Sequence, residues 1–277
     1  MRTKHKKTAF TIVELLTVMS IIVILISLLL PALNAAKRFS RKLLQKNQFR
    51  NIGSGLQIYE SDFDEYPNSY AKDADGKPYC GAMKLAEVMA GQDGLGFHLD
   101  SRLTNDGQDA DGTALYLPGA IIDDENLWSR KEYLERIDIR ICSLDDLYES
   151  PGTTFSRTGD IALLCDVFLS VKSQATGGRM GMPVLYYRAD TSKLLHDPCS
   201  PDMSTYDYTD NYTLLDMGLP WETDTEHPLS AKEEFYKNTL DKDLPFSRPH
   251  NKDSYILISA GWDGIYGTRD DVYNFKN

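Results

Sequence analysis

The chain has 277 residues, with 30 Lys+Arg against 41 Asp+Glu and a formal net charge of −11. Charged residues make up 26% and the hydrophobic set 42%, a globular composition sized for one large domain or two small ones. It excludes the collagen-like, coiled-coil and polytopic membrane classes. The charge is unevenly spread. Residues 1–50 hold 10 of the 30 basic residues and one acid, Glu14, which leaves 20 basic and 40 acidic residues, a net of −20, in 51–277. Phosphates need a basic footprint, so this acidic body argues against nucleic acid as a partner.

Residues 10–33 read FTIVELLTVMSIIVILISLLLPAL and carry one formal charge. A helix of that length crosses the roughly 30 Å hydrocarbon core of a bilayer. Arg2, Lys4, Lys6 and Lys7 precede it, and Lys37, Arg38, Arg41, Lys42, Lys46 and Arg50 follow. A plain anchor or an ordinary secretory signal shares this profile, and Asn34-Ala35-Ala36 offers a small-residue cleavage site. Against the secretory signal, the apolar stretch is long, holds an acid near its start and runs on into a helical pattern. Glu14 is the informative residue. A carboxylate within an apolar span costs about 2.5–3.5 kcal/mol at the centre and less near the interface. Glu14 is close enough to the cytoplasmic edge to reach headgroups; alternatively it awaits a cation, such as an α-amine freed by cleavage just upstream.

Lys6-Lys7-Thr8-Ala9 followed by Phe10-Thr11-Ile12-Val13-Glu14-Leu15-Leu16 resembles the prepilin-type cleavage and methylation signal of type IV pilins and type II secretion pseudopilins. The resemblance implies that prepilin peptidase cuts between Ala9 and Phe10 and that the new Phe10 amine is methylated. It implies that Glu14, the fifth mature residue, neutralises the amine of a neighbouring subunit during assembly. Two opposite buried charges cost less together than apart, which fits that role. The family usually has Gly before the cut, where this chain has Ala9. Pro31 stands where many type IV pilins kink the helix.

Beyond Pro31, Leu33, Phe39, Leu43, Leu44, Phe49, Ile52, Leu56 and Tyr59 keep helical spacing, which predicts an amphipathic continuation over 34–60 packed on a domain. Gly53 and Gly55 weaken its last turns. The basic run 37–50 fits a solvated face or a contact with anionic headgroups. Basic residues flank the span on both sides, so charge alone leaves its orientation open. Leu56, Tyr59, Tyr66 and Pro67 resemble the end of the long helix in major pseudopilins; a helix stopping before a proline reads the same way.

Residues 68–135 look irregular, with short helices predicted at 84–90 and 123–137. Strands are predicted at 136–144, where Ile137, Ile139 and Ile141 alternate with charges, and at 161–171, 182–190 and 254–261. Segment 196–250 reads as loop with one short helix near 230–240. The expected fold class is α+β: a long N-terminal helix packed on an antiparallel sheet head, 61–277, with long loop insertions.

Asp263, Asp270 and Asp271 in SAGWDGIYGTRDDVYNF place carboxylates at both ends of one Gly-rich loop, as a hard cation such as calcium requires; a metal-free acidic hairpin has the same residues. Resemblance adds that major pseudopilins bind calcium at a Ser-x-Gly-x-Asp-Gly turn closed by an Asp-hydrophobe pair, matched by Ser259, Gly261, Asp263, Gly264 and Asp271-Val272. Asp106, Asp109 and Asp111 form a second acidic cluster, out of EF-hand register and read as solvated loop. There is no GxSxG, P-loop, GxGxxG or HExxH, and His5, His98, His196, His227 and His250 are dispersed, so no catalytic residue is assigned and a non-enzyme is expected. Tyr206, Tyr208 and Tyr212 beside Trp221 suit loop packing or a carbohydrate surface. Cys80, Cys142, Cys165 and Cys199 contain no CxxC pair, which argues against zinc, and they allow three disulfide pairings in an exported head.

The resemblance implies a single-pass inner-membrane pseudopilin with a periplasmic head, most like the major pseudopilin of type II secretion. Its partners would be prepilin peptidase, identical and related subunits in a filament, inner-membrane secretion components and the inner membrane itself. A minor pseudopilin or type IV pilin stays open because the head is long for the family. So does a surface-displayed binding or adhesion protein that borrows the export signal.

Overall fold

A computed structural model describes residues 11–116, 124–135, 140–148, 152–155, 161–173, 176–222, 224–242 and 248–275. The first half holds α1 (Ile12–Phe63), α2 (Gly81–Ala90), β1 (Phe97–His98), α3 (Asp124–Trp128), β2 (Arg130–Lys131), β3 (Ile141–Ser143), α4 (Leu144–Leu147) and α5 (Gly152–Phe155). The second holds β4 (Ala162–Leu164), β5 (Val171–Lys172), β6 (Arg179–Met180), β7 (Leu185–Arg188), α6 (Tyr212–Leu215), α7 (Lys232–Thr239), β8 (Leu240–Asp241), β9 (Arg248–Pro249), β10 (Tyr255–Ser259) and β11 (Val272–Tyr273). Two compact units, Met1–Arg41 and Lys42–Asn277, divide inside α1.

In the first unit α1 is long and apolar enough to cross a membrane. Thr11 to Ser40 are exposed throughout, and an apolar surface of that extent requires a non-aqueous surrounding or a partner. Pro31, which lacks an N–H for the helical ladder, lies inside the helix without ending it.

In the second unit α1 buries Gln45, Gln48, Phe49, Ile52, Gly55, Leu56 and Tyr59, one face of a 3.6-residue period. The expected face was wider. Phe39, Leu43 and Leu44 are exposed, because one turn before Gln45 the buried side of the helix falls near Arg41 instead. Gln45 accepts the Val167 N–H at 2.9 Å and Gln48 donates to the Cys165 carbonyl at 2.9 Å, so α1 serves backbone groups just where β4 has ended. Gly55 is a site of close approach: a Cβ there would lie 2.8 Å from both Met89 Sδ and the Tyr133 carbonyl.

The expected single sheet is resolved, among the described residues, into small antiparallel ones. The largest has three strands in the order β11-β10-β7, with Tyr255 opposite Arg188 and Ile258 between Leu185 and Tyr273. The others pair β1 with β2, β3 with β4, β5 with β6 and β8 with β9. Between β4 and the segment entering β7 a single bridge, Cys165 to Pro183, is closed by the Val184 N–H on the Leu164 carbonyl at 2.7 Å and the Asp166 N–H on the Met182 carbonyl at 2.8 Å. One local cause of the division is visible. Leu169, with φ 55, breaks the predicted strand 161–171 into β4 and β5. The predicted strands at 182–190 and 254–261 contain β7 and β10. In β3 the phase is opposite to the prediction, with Ile141 exposed and Cys142 buried; Ile137 and Ile139 lie outside the described residues. The helix expected over 123–137 is short, since β2 takes over at Arg130 to pair with β1.

α2 is buried along its whole length and packs against β4 and β7. It carries two charged groups into the core. The Lys84 ammonium donates to Asn68 Oδ1 at 2.6 Å and to the Tyr70 and Lys72 carbonyls at 2.8 and 3.1 Å. The Glu87 carboxylate accepts from the hydroxyls of Tyr79, Ser101 and Tyr116 and from Gln92. Each is caged by polar partners, the condition for burying a charge. Cys142 and Cys165 form a disulfide with Cα atoms 6.0 Å apart, while Cys80 is a buried thiol and Cys199 an exposed one.

Candidate functional site

Two regions carry the residues that the sequence singles out. Ala9 and Phe10, on either side of the expected cut, lie outside the described residues. Immediately after them Thr11 and Glu14 bond reciprocally. The Thr11 N–H and hydroxyl donate to Glu14 Oε2 at 2.9 and 2.8 Å, and the Glu14 N–H donates to the Thr11 hydroxyl at 3.3 Å. This is a capping box, in which side chains satisfy the free donors of a helix start. The Thr-x-x-Glu spacing is legible in the sequence as a capping signal, a further use of Glu14 beside the one that the resemblance implies. Among the described residues Oε1 of Glu14 has no hydrogen-bond donor, so one oxygen of the carboxylate caps α1 and the other faces outward.

The second region is the loop joining β10 to β11. Gly261 holds φ at 70°, and a Cβ there would sit 2.3 Å from the Asp270 carbonyl, so only glycine lets the two ends of the loop close. Across that closure Asp270 Oδ2 accepts the N–H groups of Trp262 and Asp263 at 2.6 and 3.0 Å, and Asp270 Oδ1 accepts the Thr268 hydroxyl at 2.7 Å. Asp263 Oδ1 accepts the Ile265 N–H at 2.8 Å. The Asp263 and Asp270 carboxyls are neighbours that share the strain of like charge. Burial, and then contact with Asp270, raises Asp263 above the usual carboxylate range. Asp270 is held below it: burial opposes this, but the hydrogen bonds from Thr268, Asp263 and Trp262 prevail.

Asp271 is placed differently. It is buried, and its Oδ2 accepts the Gly267 N–H at 2.8 Å and the Tyr273 hydroxyl at 3.0 Å. Its Oδ1 is buried without a partner among the described residues, and burial pushes the carboxyl up to about 7. The loop is seated on the head by Tyr266. Its hydroxyl donates to the Pro183 carbonyl, its N–H donates to His227 Nδ1 at 3.2 Å, and its carbonyl accepts the Leu229 N–H at 3.1 Å. The structure therefore brings Asp263 and Asp270 together and turns Asp271 to its own partners. Among the described residues no three His, Cys, Asp or Glu side chains gather into a group able to hold a metal ion.

The other candidates resolve into structural uses. Asp109 accepts the N–H groups of Asp111 and Thr113 at 2.9 and 2.8 Å, and Asp106 pairs with Lys77 at 2.8 Å, so the second acidic cluster is a capped turn. Tyr206 is buried, its hydroxyl donating to the Asn251 carbonyl at 2.6 Å, whereas Tyr212 and Trp221 are exposed. His196 and His227 are both buried, which pushes each down to about 4.

Compared with known protein families, with curated proteins and with solved structures, the chain matches none of them.

Proposed function

We propose that the chain is a pseudopilin-like subunit, cut between Ala9 and Phe10, methylated on Phe10, held in the inner membrane and polymerised through the apolar part of α1, with its head in the periplasm. The reading rests on one conjunction: the Lys-Lys-Thr-Ala/Phe-Thr-Ile-Val-Glu sequence stands at the head of a helix that runs unbroken from Ile12 to Phe63, apolar and exposed first, then the spine of a sheet-containing head. A non-polar helix of that kind buries its surface in lipid or against copies of itself. The Cys142–Cys165 disulfide supports a head exported to an oxidising compartment. The work would be mechanical, with filament growth helping to move proteins outward. Prepilin peptidase, related subunits and inner-membrane secretion components would be the partners.

Calcium belongs to the same proposal. Asp263 and Asp270 would hold it, and the ion would relieve the repulsion within the pair. Titration calorimetry on the full chain in detergent tests this, with Asp263→Asn as control. The expected result is saturable calcium binding and a melting temperature that a chelator lowers in the wild type alone. Identical melting with calcium and with chelator would overturn it.

Filament formation tests the main reading. Expressed with a prepilin peptidase and an assembly apparatus, the wild-type chain should enter sedimentable filaments. Glu14→Val should still lose residues 1–9 but stay in the membrane fraction, since Glu14 acts in assembly and not in cleavage. Equal fractionation of the two proteins would contradict the role given to Glu14.

A further inference from the structure

Lys42, Lys46 and Arg50 stand one helical turn apart along α1, within the second compact unit. Lys42 and Arg50 are exposed and Lys46 is half-buried. Among the described residues none of the three has a carboxylate partner. Like charges at this spacing repel, and besides its partial burial Lys46 is destabilised as a cation by Lys42 and Arg50. Leu43 and Leu44 lie exposed beside the stripe. The helix face is therefore cationic, partly apolar and without a carboxylate partner among the described residues.

The same unit carries a complement. A cleft of about 270 Å³ is lined by Glu60, Asp64, Glu65, Asp190 and Asp253, with Tyr66 and Tyr70 as aromatic walls. Arg188, the one cation among its lining residues, is bound to Glu65 at 2.9 Å. Glu60 and Asp64 have no cationic partner among the described residues. Carboxylates beside tyrosine faces suit an ammonium or guanidinium group on both counts, charge and ring.

We propose that the Lys42–Lys46–Arg50 face of one copy of this chain docks into the Glu60–Asp64 cleft of a second copy. Stripe and cleft are different surfaces of one molecule, so the contact is heterologous. A copy that has given its stripe still offers its cleft, and the association continues from copy to copy unless the rotation closes a ring. An anionic bilayer is the rival occupant of the stripe. The second copy is favoured because Lys46 and Arg50 edge a cleft walled by Asn251, Tyr255, Tyr273 and Asn274, all residues of the globular head. The inference rests on the filament reading for the crowding of copies in one membrane, and it adds the head surfaces that meet there.

Zero-length carbodiimide cross-linking of the full chain in membranes tests it, because that reagent joins an amine only to a carboxylate in contact with it. An equal mixture of isotope-labelled and unlabelled chain identifies links between copies by mass spectrometry. Mixed-isotope links from Lys42 or Lys46 to Glu60 or Asp64 are expected. They should fall about five-fold between 0.1 M and 1 M salt, as the screening length drops from roughly 10 Å to 3 Å. The K46E/R50E double variant should lose the links, and adding Glu60→Lys and Asp64→Lys should restore links between positions 46 and 60 or 64. Links found only within one copy overturn the proposal. So does a stripe whose reversal leaves the links intact while releasing the chain from anionic phosphatidylglycerol vesicles. A chain with N-methyl-Phe10 but no mixed links refutes this contact alone. A chain that keeps residues 1–9 yet gives the mixed links refutes the filament reading and leaves the contact standing.

Discussion

Asp166, Asp210 and Asp271 are each pushed up to about 7 by burial, against an ordinary 3.8. The folded chain then holds more protons than the unfolded one between about pH 4 and pH 7, so stability falls as pH rises through that window. His196 and His227 work the other way. Burial pushes each down to about 4 from 6.5, the unfolded chain holds the extra protons, and stability falls as pH drops from 6.5. Three carboxyls outweigh two imidazoles, so in the absence of calcium the full chain in detergent should melt highest at roughly pH 4 and lower at pH 7. Asp210→Asn, which cannot ionise beside Ser69, should flatten the decline toward pH 8. A melting maximum at pH 8 or above would contradict the assignment. These residues were not legible in the sequence. In a chain with 41 acids, nothing local marks the few that the fold encloses. The capping pair Thr11–Glu14 was legible, because its signal is a fixed spacing along one helix.

At the scale of elements, α1, α2, α7, β7 and β10 were readable because each carries its own periodicity. The strand spanning 161–171 was not, because its interruption comes from the left-handed backbone of Leu169, which no periodicity marks. The glycines of α1 illustrate the same divide. Gly55 in a helix costs about 1 kcal/mol relative to alanine on propensity alone, so the sequence marks it as a weakness. The structure gives the reason for it. A methyl group would meet the Tyr133 carbonyl at 2.8 Å, and backbone yields less readily than the flexible Met89 also in reach. Overpacking of this sort costs about 1–3 kcal/mol and outweighs the propensity gain. Gly55→Ala should therefore lower the denaturant midpoint of the full chain, and a raised midpoint would show that α1 has room to shift. Leu56→Ala, at a fully buried position on the same face, should cost about 2–5 kcal/mol.

For the whole molecule, the division of charge is the feature that sequence and structure describe alike. Removing residues 1–9 takes Arg2, Lys4, Lys6 and Lys7, so the side-chain charge moves from −11 to −15. The remaining basic residues of the N-terminal 50 lie on α1, where Lys42, Lys46 and Arg50 form a stripe without a carboxylate partner among the described residues, and all the acids but Glu14 lie in 51–277. The disulfide also acts at this scale. Closing a loop of 23 residues is worth roughly 3 kcal/mol by chain entropy. Cys142→Ala with Cys165→Ala should lower stability by about that amount, and thiol titration of the unfolded, unreduced wild type should find two free thiols, Cys80 and Cys199. Four thiols would remove the support that the disulfide gives to an exported head. Under the proposed reading, a basic leader, Ala9, Phe10, Glu14 and the apolar helix meet in one covalent event, the cut and methylation at Phe10. Mass spectrometry of the N-terminal peptide, taken from the membrane-associated chain made beside a prepilin peptidase, reads that event directly. N-methyl-Phe10 as the first residue is the predicted result; an intact Met1, or a new terminus near Ala36, would contradict the account.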